Sequence, residues 1–398
     1  LTLILSAAFV MRVAGIHYGL PYIYHQDEPM MVNHALAIGT GDWNTHYFVI
    51  PPFVSYFLFF VYAVFFIAGR VLGLFESSGD FLLFYLKDPT AFYVLGRFFI
   101  GTLFGTATVA VVYAAGKRFF SKDAGTAAAI FMAFLPFHVQ HSHYIYADIP
   151  LTFVLSLVFY VLFCLLEKPS MRNYLVLGAL VGWAGGTKYV AAYFLPAVLL
   201  AHVFAAPRAW LRFEAWKKIL LSGLTALTVF FITAPYTFLD WSSFWGTMKL
   251  QSAAEVPTGL SHHFFYSIVG GSGVLFAMLA LFGGYVLATK YRRIFWVIAA
   301  GGISYYAVSA YFSQHFARYM LPLTPLLCWC VGAGWERLSQ HLKKPASGFL
   351  LALVLLILAV PAVYSDALFF KEDTRTACLR WFEKNVHYGA VVAIDNRF

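Results

Sequence analysis

The sequence contains little charge for its length. Lys, Arg, Asp and Glu account for 11% of its 398 residues, whereas an average soluble domain has about 25%. Hydrophobic residues account for 61% and aromatic residues for 19%. A soluble chain of this size needs far more charged side chains to cover its surface. The composition therefore excludes a soluble globular enzyme, a disordered chain and a nucleic-acid-binding protein.

Cysteines are also scarce. Cys164, Cys328 and Cys330 lie inside apolar runs, and Cys378 stands alone near the C-terminus. Their spacing matches no metal-binding pattern and implies no disulfide framework. Residues 1–10 have neither the charged flank nor the small-residue cleavage site of a secretory leader.

Long uncharged runs, by contrast, are abundant, and a transmembrane helix needs about 20 mainly apolar residues. We predict an all-α polytopic membrane protein without internal repeats. About eleven transmembrane helices are expected, near residues 1–20, 97–116, 123–143, 149–166, 173–187, 189–207, 219–237, 265–288, 294–311, 319–337 and 346–365.

The distribution of charge predicts the orientation of these helices. Five short loops hold 15 Lys or Arg and four acids, and the loops at the opposite ends hold six Lys or Arg and nine acids. Because Lys and Arg collect in cytoplasmic loops, we expect the N-terminus inside and the C-terminus outside. The net charge of +9 is then a topology signal, and the expected location is the cell (inner) membrane.

Residues 50–68 form an apolar run that could also cross the membrane. A crossing there would place Asp27 and Asp148 on opposite faces. The pair Pro51 and Pro52, the many aromatic residues and Arg70 are more typical of an interfacial helix. We therefore predict juxtamembrane helices within a first outer loop of residues 21–96, and both acids at the outer face.

The last thirty residues differ from the rest. Thr374–Val386 is predicted to be an amphipathic helix and Ala390–Ile394 a strand. We expect residues 1–365 to form one transmembrane domain. Residues 366–398 are expected to begin a soluble periplasmic or extracellular α/β domain that the sequence does not complete.

Two acidic clusters next to predicted spans require an explanation, because charge near a membrane is costly. Asp27 and Glu28 lie between His25 and Pro29, where a helix N-cap is the simple alternative to a catalytic site. Asp148 follows His138, His141 and His143, where a cap is again one reading and a metal site is another.

Three basic residues, Arg97, Lys188 and Arg318, lie at the outer ends of apolar runs. Snorkelling to headgroups would explain any one of them. Lys188, however, follows Gly185 and Gly186, where a helix should break and expose amides that bind phosphate together with a cation. Carboxylates and cations that could bind a phosphate would then lie together beside lipid. This combination suits transfer of a group from a lipid-linked phosphate donor, in which a carboxylate acts as the base and the cations stabilise the leaving phosphate.

The order of these features resembles a known family. The resemblance is to the family 39 glycosyltransferases of the GT-C fold, which include protein O-mannosyltransferases and aminoarabinose transferases acting on lipid A. It covers residues 1 to about 365 and depends on Asp27-Glu28, Ile50-Pro51-Pro52-Phe53, Leu95-Gly96-Arg97-Phe98, Ala147-Asp148-Ile149-Pro150, Gly185-Gly186-Thr187-Lys188 and Arg318 to Pro322.

The resemblance implies an inverting transfer from a polyprenyl-phosphate sugar to an acceptor hydroxyl. By position, Asp27 matches the catalytic base, Glu28 its partner and Asp148 a second essential acid. Arg97, Lys188 and Arg318 match residues that hold the donor phosphate or the site. Some relatives bind a divalent metal, for which His25 and His143 are the candidates. The loop at residues 237–264 is too short for the folded domain of eukaryotic relatives, which favours a bacterial-type enzyme whose acceptor is a lipid, glycan or protein.

Three other functions are compatible with the same composition. A secondary transporter also has many spans and ionisable groups, although transporters tend to show repeats and sites near the membrane midplane. A lipid-linked oligosaccharide ligase or polymerase would use Arg and His rather than an Asp-Glu pair. A non-catalytic scaffold would release no lipid phosphate from a donor.

Overall fold

The computed structural model describes residues 1–206, 213–254, 260–312, 316–342 and 344–393. All regular structure in these residues is helical. The α-helices are α1 (Thr2–Val13), α2 (Asp27–Ile38), α3 (Phe53–Val71), α4 (Ser78–Lys87), α5 (Thr90–Gly96), α6 (Phe104–Phe119), α7 (Lys122–Phe134), α8 (Pro136–His141), α9 (Asp148–Glu167), α10 (Met171–Thr187), α11 (Leu195–Ala205), α12 (Phe213–Thr233), α13 (Tyr236–Leu239), α14 (Trp241–Ala254), α15 (Leu260–His262), α16 (Gly270–Ser272), α17 (Val274–Lys290), α18 (Arg292–Phe312), α19 (Thr324–Gln340), α20 (Lys344–Leu368) and α21 (Thr374–Asn385).

Four further helical segments are not α-helical. Arg97–Leu103 and His263–Val269 are π-helical, and Tyr189–Phe194 and Ala317–Leu323 are 3₁₀-helical. The two π-helical segments have α-helices on both sides, and the two 3₁₀ segments lead directly into α11 and α19. Irregular backbone at membrane depth is tolerated where it is buried in protein or lines a cavity. We therefore expect these segments to face the inside of the bundle rather than lipid.

The chain is a multi-pass membrane protein. Six of the described helices are long and apolar enough to cross a membrane, and a seventh span results if the pair Leu260–Ser272 and Val274–Lys290, bent by 107°, counts as one. Every predicted span contains one or more of the helices above. Several are split by the 3₁₀ and π segments, so the count of about eleven stays a prediction.

The helix α3 passes the length and apolarity test for a span, but a contact between the two ends of its segment argues against a single crossing. Glu28 and Arg97, at the two ends of the segment that contains α3, are bonded to each other at 2.8 Å. A segment whose ends meet must cross an even number of times. Since α2, α4 and α5 have 12, 10 and 7 residues, none is long enough for a return crossing. This geometry favours the predicted juxtamembrane helix.

Helices of the bundle approach one another closely where glycines meet. A Cβ on Gly125 of α7 would lie 2.3 Å from the backbone nitrogen of Lys117 in α6, and a Cβ on Gly283 of α17 would lie 1.7 Å from the carbonyl oxygen of Cys330 in α19. Without a hydrophobic force between helices in lipid, such close backbone packing is a main source of association. The core of the bundle includes Trp329, whose indole donates to the carbonyl of Val112 at 3.0 Å.

The predicted helix of the C-terminal segment is present as α21, which ends at Asn385. The predicted strand is wrong for residues 390–393, which have no regular structure, and Ile394 lies outside the described residues. Residues 208–212 of the basic loop at 208–218 also lie outside them.

Candidate active site

Four of the predicted site residues form a chain of alternating charge. Arg318 Nη2 lies 2.9 Å from Asp27 Oδ2, and Arg318 Nε lies 3.8 Å from Asp148 Oδ2. The second oxygen of Asp148, Oδ1, accepts from Lys188 Nζ at 2.7 Å. We call Asp27, Arg318, Asp148 and Lys188 the charged cluster. Residues separated by up to 291 positions therefore meet at one place.

Each member of the charged cluster stands where a helix begins or breaks. Asp27 and Asp148 are the first residues of α2 and α9. Lys188 stands between α10 and the 3₁₀ segment at Tyr189–Phe194, and Arg318 lies in the 3₁₀ segment before α19. Neither α2 nor α9 has a side-chain cap bond, so the capping alternative for the two acids is wrong. The breaks at Lys188 and Arg318 turn these cations toward the acids.

All four side chains of the charged cluster are largely buried. The Asp148 side chain is 3% exposed and Lys188 11%, while Arg318 is 14% and Asp27 17% exposed. Two cations paired with carboxylates inside protein are not snorkelling to headgroups, so that alternative is wrong for Lys188 and Arg318. Asp27 is the most exposed of the four side chains.

Aromatic rings surround the two cations. Lys188 Nζ lies 4.4 Å from the ring centre of Tyr319, and the Arg318 guanidinium lies 4.1 Å from that of Phe316. Tyr146 and Tyr319 flank Arg318 at 5.8 and 5.6 Å. Such contacts stabilise a cation more when it is removed from water. Tyr319 was not among the predicted site residues, although its place directly after Arg318 in the sequence was a signal for it.

Glu28 and Arg97, also predicted as site residues, form a separate buried pair. Arg97 donates from Nε and Nη2 to the two oxygens of Glu28, both at 2.8 Å, and from Nη1 to the carbonyls of Ile16 and Tyr18. Glu28 also accepts from the backbone N–H of Ile145. The Arg97 side chain is 2% exposed and the Glu28 side chain 0%.

This geometry does not fit the expected roles of the pair. Four of the five N–H groups of Arg97 are already bound, so the guanidinium presents no face to a phosphate. Glu28 is enclosed and cannot reach an acceptor hydroxyl. The pair instead joins α2, the turn after α1 and the start of the π-helical segment at Arg97. The sequence alone did not show that Asp27 and Glu28 belong to different sites. Adjacent residues of a helix point in different directions, and only the structure shows which direction leads to the charged cluster.

His25 lies beside the charged cluster in the loop before α2. Its ring centre is 4.4 Å from that of Tyr144 and 5.4 Å from that of Tyr146, and Nδ1 accepts from the backbone N–H of Asp27 at 3.3 Å. Burial lowers the pKa of His25, against the opposing effect of the nearby carboxylates. The neutral ring can therefore accept the Asp27 bond.

The second metal candidate, His143, is occupied by backbone. Its Nδ1 faces the carbonyl of Val139 at 3.0 Å and its Nε2 that of Ala14 at 2.8 Å. A neutral imidazole has one N–H and donates to only one of these carbonyls, but both nitrogens face backbone oxygens, so neither is directed to an open position for a metal. Within the described ranges, no group of three or more His, Cys, Asp or Glu could hold a metal ion.

Part of the chain matches a family model. Residues 93–236 match that of the dolichyl-phosphate-mannose-protein mannosyltransferases, a stretch that includes Arg97, Asp148 and Lys188. Comparison with curated protein sequences gives no match.

Solved structures share the fold over most of the chain. ArnT from Cupriavidus metallidurans, bound to undecaprenyl phosphate, matches with a TM-score of 0.65 and 17% identity over 90% of this chain and 63% of that one. The Archaeoglobus fulgidus oligosaccharyltransferase matches with a TM-score of 0.55 and 12% identity over 98% of this chain and 58% of that one. The archaeal oligosaccharyltransferase AglB from Archaeoglobus fulgidus, in complex with an inhibitory peptide and a dolichol-phosphate, matches with a TM-score of 0.55 and 13% identity over 98% of this chain and 58% of that one.

The chain thus spans 63% of the length of the bacterial transferase. The predicted resemblance is confirmed by the family match over its central part, and the predicted fold by the structural matches. The chain has the GT-C fold, and its residues 93–236 carry the sequence pattern of the dolichyl-phosphate-mannose-protein mannosyltransferases.

Proposed function

We propose that this protein is an inverting glycosyltransferase, which moves a sugar from a polyprenyl-phosphate donor to an acceptor hydroxyl. The observation that carries the proposal is the charged cluster, in which two carboxylates at the starts of α2 and α9 meet two cations, one at the end of α10 and one before α19. Structural neighbours of this fold have been solved with undecaprenyl phosphate and with a dolichol-phosphate. A lipid-linked phosphate is therefore the donor that the fold and the cations both favour.

The charges of the cluster account for the reaction. With both acids ionised, the four side chains carry no net charge. In the reaction, the acceptor oxygen attacks the anomeric carbon, the bond from that carbon to the phosphate oxygen breaks, and the acceptor proton passes to Asp27. The leaving phosphate gains one negative charge as Asp27 loses one. Arg318, released from Asp27, can then pair with the phosphate, so base and leaving-group stabilisation are coupled.

The other two residues of the cluster have supporting roles in this scheme. Lys188 binds the donor phosphate, since its ammonium group keeps free hydrogens beyond the bond to Asp148. Asp148, the most enclosed member, holds Lys188 and Arg318 at a fixed separation. Attack from the face opposite the phosphate gives inversion through an oxocarbenium-like transition state, as in inverting glycoside chemistry.

We place this site at the outer face of the cell membrane. The helix α9 begins at Asp148 and ends at Glu167, so the basic loop at residues 168–172 lies about 30 Å away along its axis. Basic loops stay in the cytoplasm, which puts the charged cluster outside, toward the periplasm of a bacterial cell.

The base assignment is tested with Asp27→Asn. Purified protein is incubated with a panel of undecaprenyl-phosphate sugars and candidate acceptors, and released undecaprenyl phosphate is measured by mass spectrometry. We expect turnover to fall by at least about 10²-fold, the usual contribution of general base catalysis, while binding of undecaprenyl phosphate changes little.

Asp42→Asn is the matched control. Asp42 is an exposed acid of the same loop, paired with His46, and its loss should leave turnover unchanged. Near-normal turnover by Asp27→Asn would remove the base assignment, and a wild-type protein that releases no lipid phosphate from any donor would remove the proposed function.

A further inference from the structure

The chain segment directly before Asp27 is a loop with little regular structure. Residues 14–26, which we call the base loop, contain turns but no helix or strand. A loop without a ladder of backbone bonds must be held by other groups to keep a catalytic residue in place. In the base loop, side chains from distant parts of the chain supply these bonds.

Two of these anchors come from the membrane side. Arg97 donates to the carbonyls of Ile16 and Tyr18 at 2.8 Å, and His143 faces the carbonyl of Ala14, also at 2.8 Å. Both anchors are buried side chains. They hold the first part of the base loop but leave residues 19–26, which lead directly to Asp27, without a contact of this kind.

The remaining anchors come from the segment that follows the last membrane helix. The Tyr18 hydroxyl donates to Asp373, and the Tyr24 hydroxyl bonds the Thr376 hydroxyl. The Arg375 guanidinium lies 3.9 Å from the ring centre of Tyr24 and donates to the Tyr24 carbonyl at 3.3 Å. Asp373 in turn accepts from Nε and Nη2 of Arg375, both at 2.8 Å.

Phe369, directly after α20, makes an apolar contact with the same loop. Its ring stacks on His143 at 4.2 Å and packs edge-on against Tyr18 at 5.1 Å. Gly15 has a φ of +75°, and a Cβ there would lie 2.5 Å from that of Phe369. Only a glycine suits this position, both for its backbone conformation and for the space that Phe369 occupies.

These contacts continue to the base itself. Phe369 also packs against Tyr144 at 5.9 Å, Tyr144 packs against His25 at 4.4 Å, and His25 Nδ1 accepts from the backbone N–H of Asp27. The segment after α20 therefore touches the base loop at its start, at Tyr24 and, through two rings, at the residue that orients Asp27.

We propose that residues 369–376, here called the clasp, position Asp27 for catalysis by holding the base loop from the aqueous side. Asp373 and Arg375 are its positioning residues, Tyr18 is their partner in the base loop, and none of the three touches the charged cluster. The proposal rests on the proposed function, since it assigns the clasp a role in the transfer step. It also means that the start of the C-terminal segment contributes to catalysis by the membrane domain.

The clasp should affect the rate of the chemical step more than donor binding. Lys188 and Arg318 belong to other segments and keep their places when the clasp opens, whereas a base displaced by about 1 Å can cost about 10²-fold in rate. For Arg375→Gln, and for Tyr18→Phe, which removes one hydroxyl, we expect at least a tenfold loss of kcat with a donor KM within twofold of wild type.

The matched control is Arg380→Gln. Arg380 is on the same helix, α21, and pairs with the exposed Glu372 rather than with the base loop. The three variants are compared in the undecaprenyl phosphate release assay, by binding of undecaprenyl phosphate, and by hydrogen exchange of the amides of residues 14–26. Faster exchange is expected for Arg375→Gln and Tyr18→Phe, and unchanged exchange for Arg380→Gln.

Three results would overturn the role of the clasp. The first is an equal loss of activity in Arg380→Gln, and the second is a loss that lies in KM instead of kcat. The third is unchanged amide exchange in the base loop of Arg375→Gln. Because exchange needs no substrate, it tests the clasp even if wild-type protein releases no lipid phosphate, an outcome that would count against the proposed function alone.

Discussion

Replacing Arg97 distinguishes a structural role from phosphate binding. Arg97→Gln would leave the carboxylate of Glu28 buried without its cation. Breaking a buried pair by removing one partner costs about 3–5 kcal/mol, because an uncompensated charge stays in a medium of low dielectric. The same change removes the two charged donors that hold the carbonyls of Ile16 and Tyr18. We therefore expect a severe loss of stability.

The double variant Glu28→Gln with Arg97→Gln sharpens this expectation. It removes the buried charge together with its partner, so it should be less destabilised than the sum of the two single variants. Residues in direct contact typically show coupling of about 0.5–3 kcal/mol. Unfolding in mixed micelles, followed by far-UV circular dichroism, gives the free energy of unfolding of each variant.

Arg118→Gln is the control for this experiment. Arg118 also pairs with a glutamate, Glu167, but the two side chains are 47% and 49% exposed. An exposed pair contributes at most about 1 kcal/mol. If Arg97→Gln were as stable as Arg118→Gln and lost affinity for undecaprenyl phosphate instead, the structural assignment would be refuted and the phosphate role restored.

Two further predictions concern packing and pH. Gly283→Ala would push a methyl group into the carbonyl of Cys330 and should destabilise the protein by about 1–3 kcal/mol, whereas Gly284→Ala, with open space at its Cβ, should be neutral or slightly stabilising in the same unfolding assay. Burial lowers the pKa of His25, so the folded state favours the neutral ring: its contribution to stability is complete above about pH 6.5 and is lost as the pH falls below that value. The loss on acidification should be smaller in His25→Asn, and an identical pH dependence would contradict the shift.

Much of the site could be predicted from the sequence, because each of its residues interrupts an apolar run. Asp27, Asp148, Lys188 and Arg318 were predicted on that basis, and the structure brings all four together. Charge is so costly beside lipid that its position in the sequence is informative by itself. The same logic selected Glu28 and Arg97, although they pair with each other away from the cluster.

The contacts of the C-terminal segment could not be predicted in the same way. Asp373, Arg375 and Thr376 belong to a polar, exposed stretch, where charged residues are common and need no partner. Their contacts with Tyr18 and Tyr24 join residues more than 350 positions apart, and no local pattern marks such a pair. The expected strand at residues 390–394 was likewise a local inference, and it failed for the four described positions.

The sequence by itself determined that this chain lies in a membrane, that it is helical and where its costly charges stand. A hydrocarbon environment demands apolar runs with internally bonded backbone, and both are local properties. Tertiary structure alone decided which acid meets which cation, and that Glu28 and Arg97 meet at the two ends of the segment that contains α3. Those outcomes depend on distances between residues far apart in the chain, which only the packing of the helices sets.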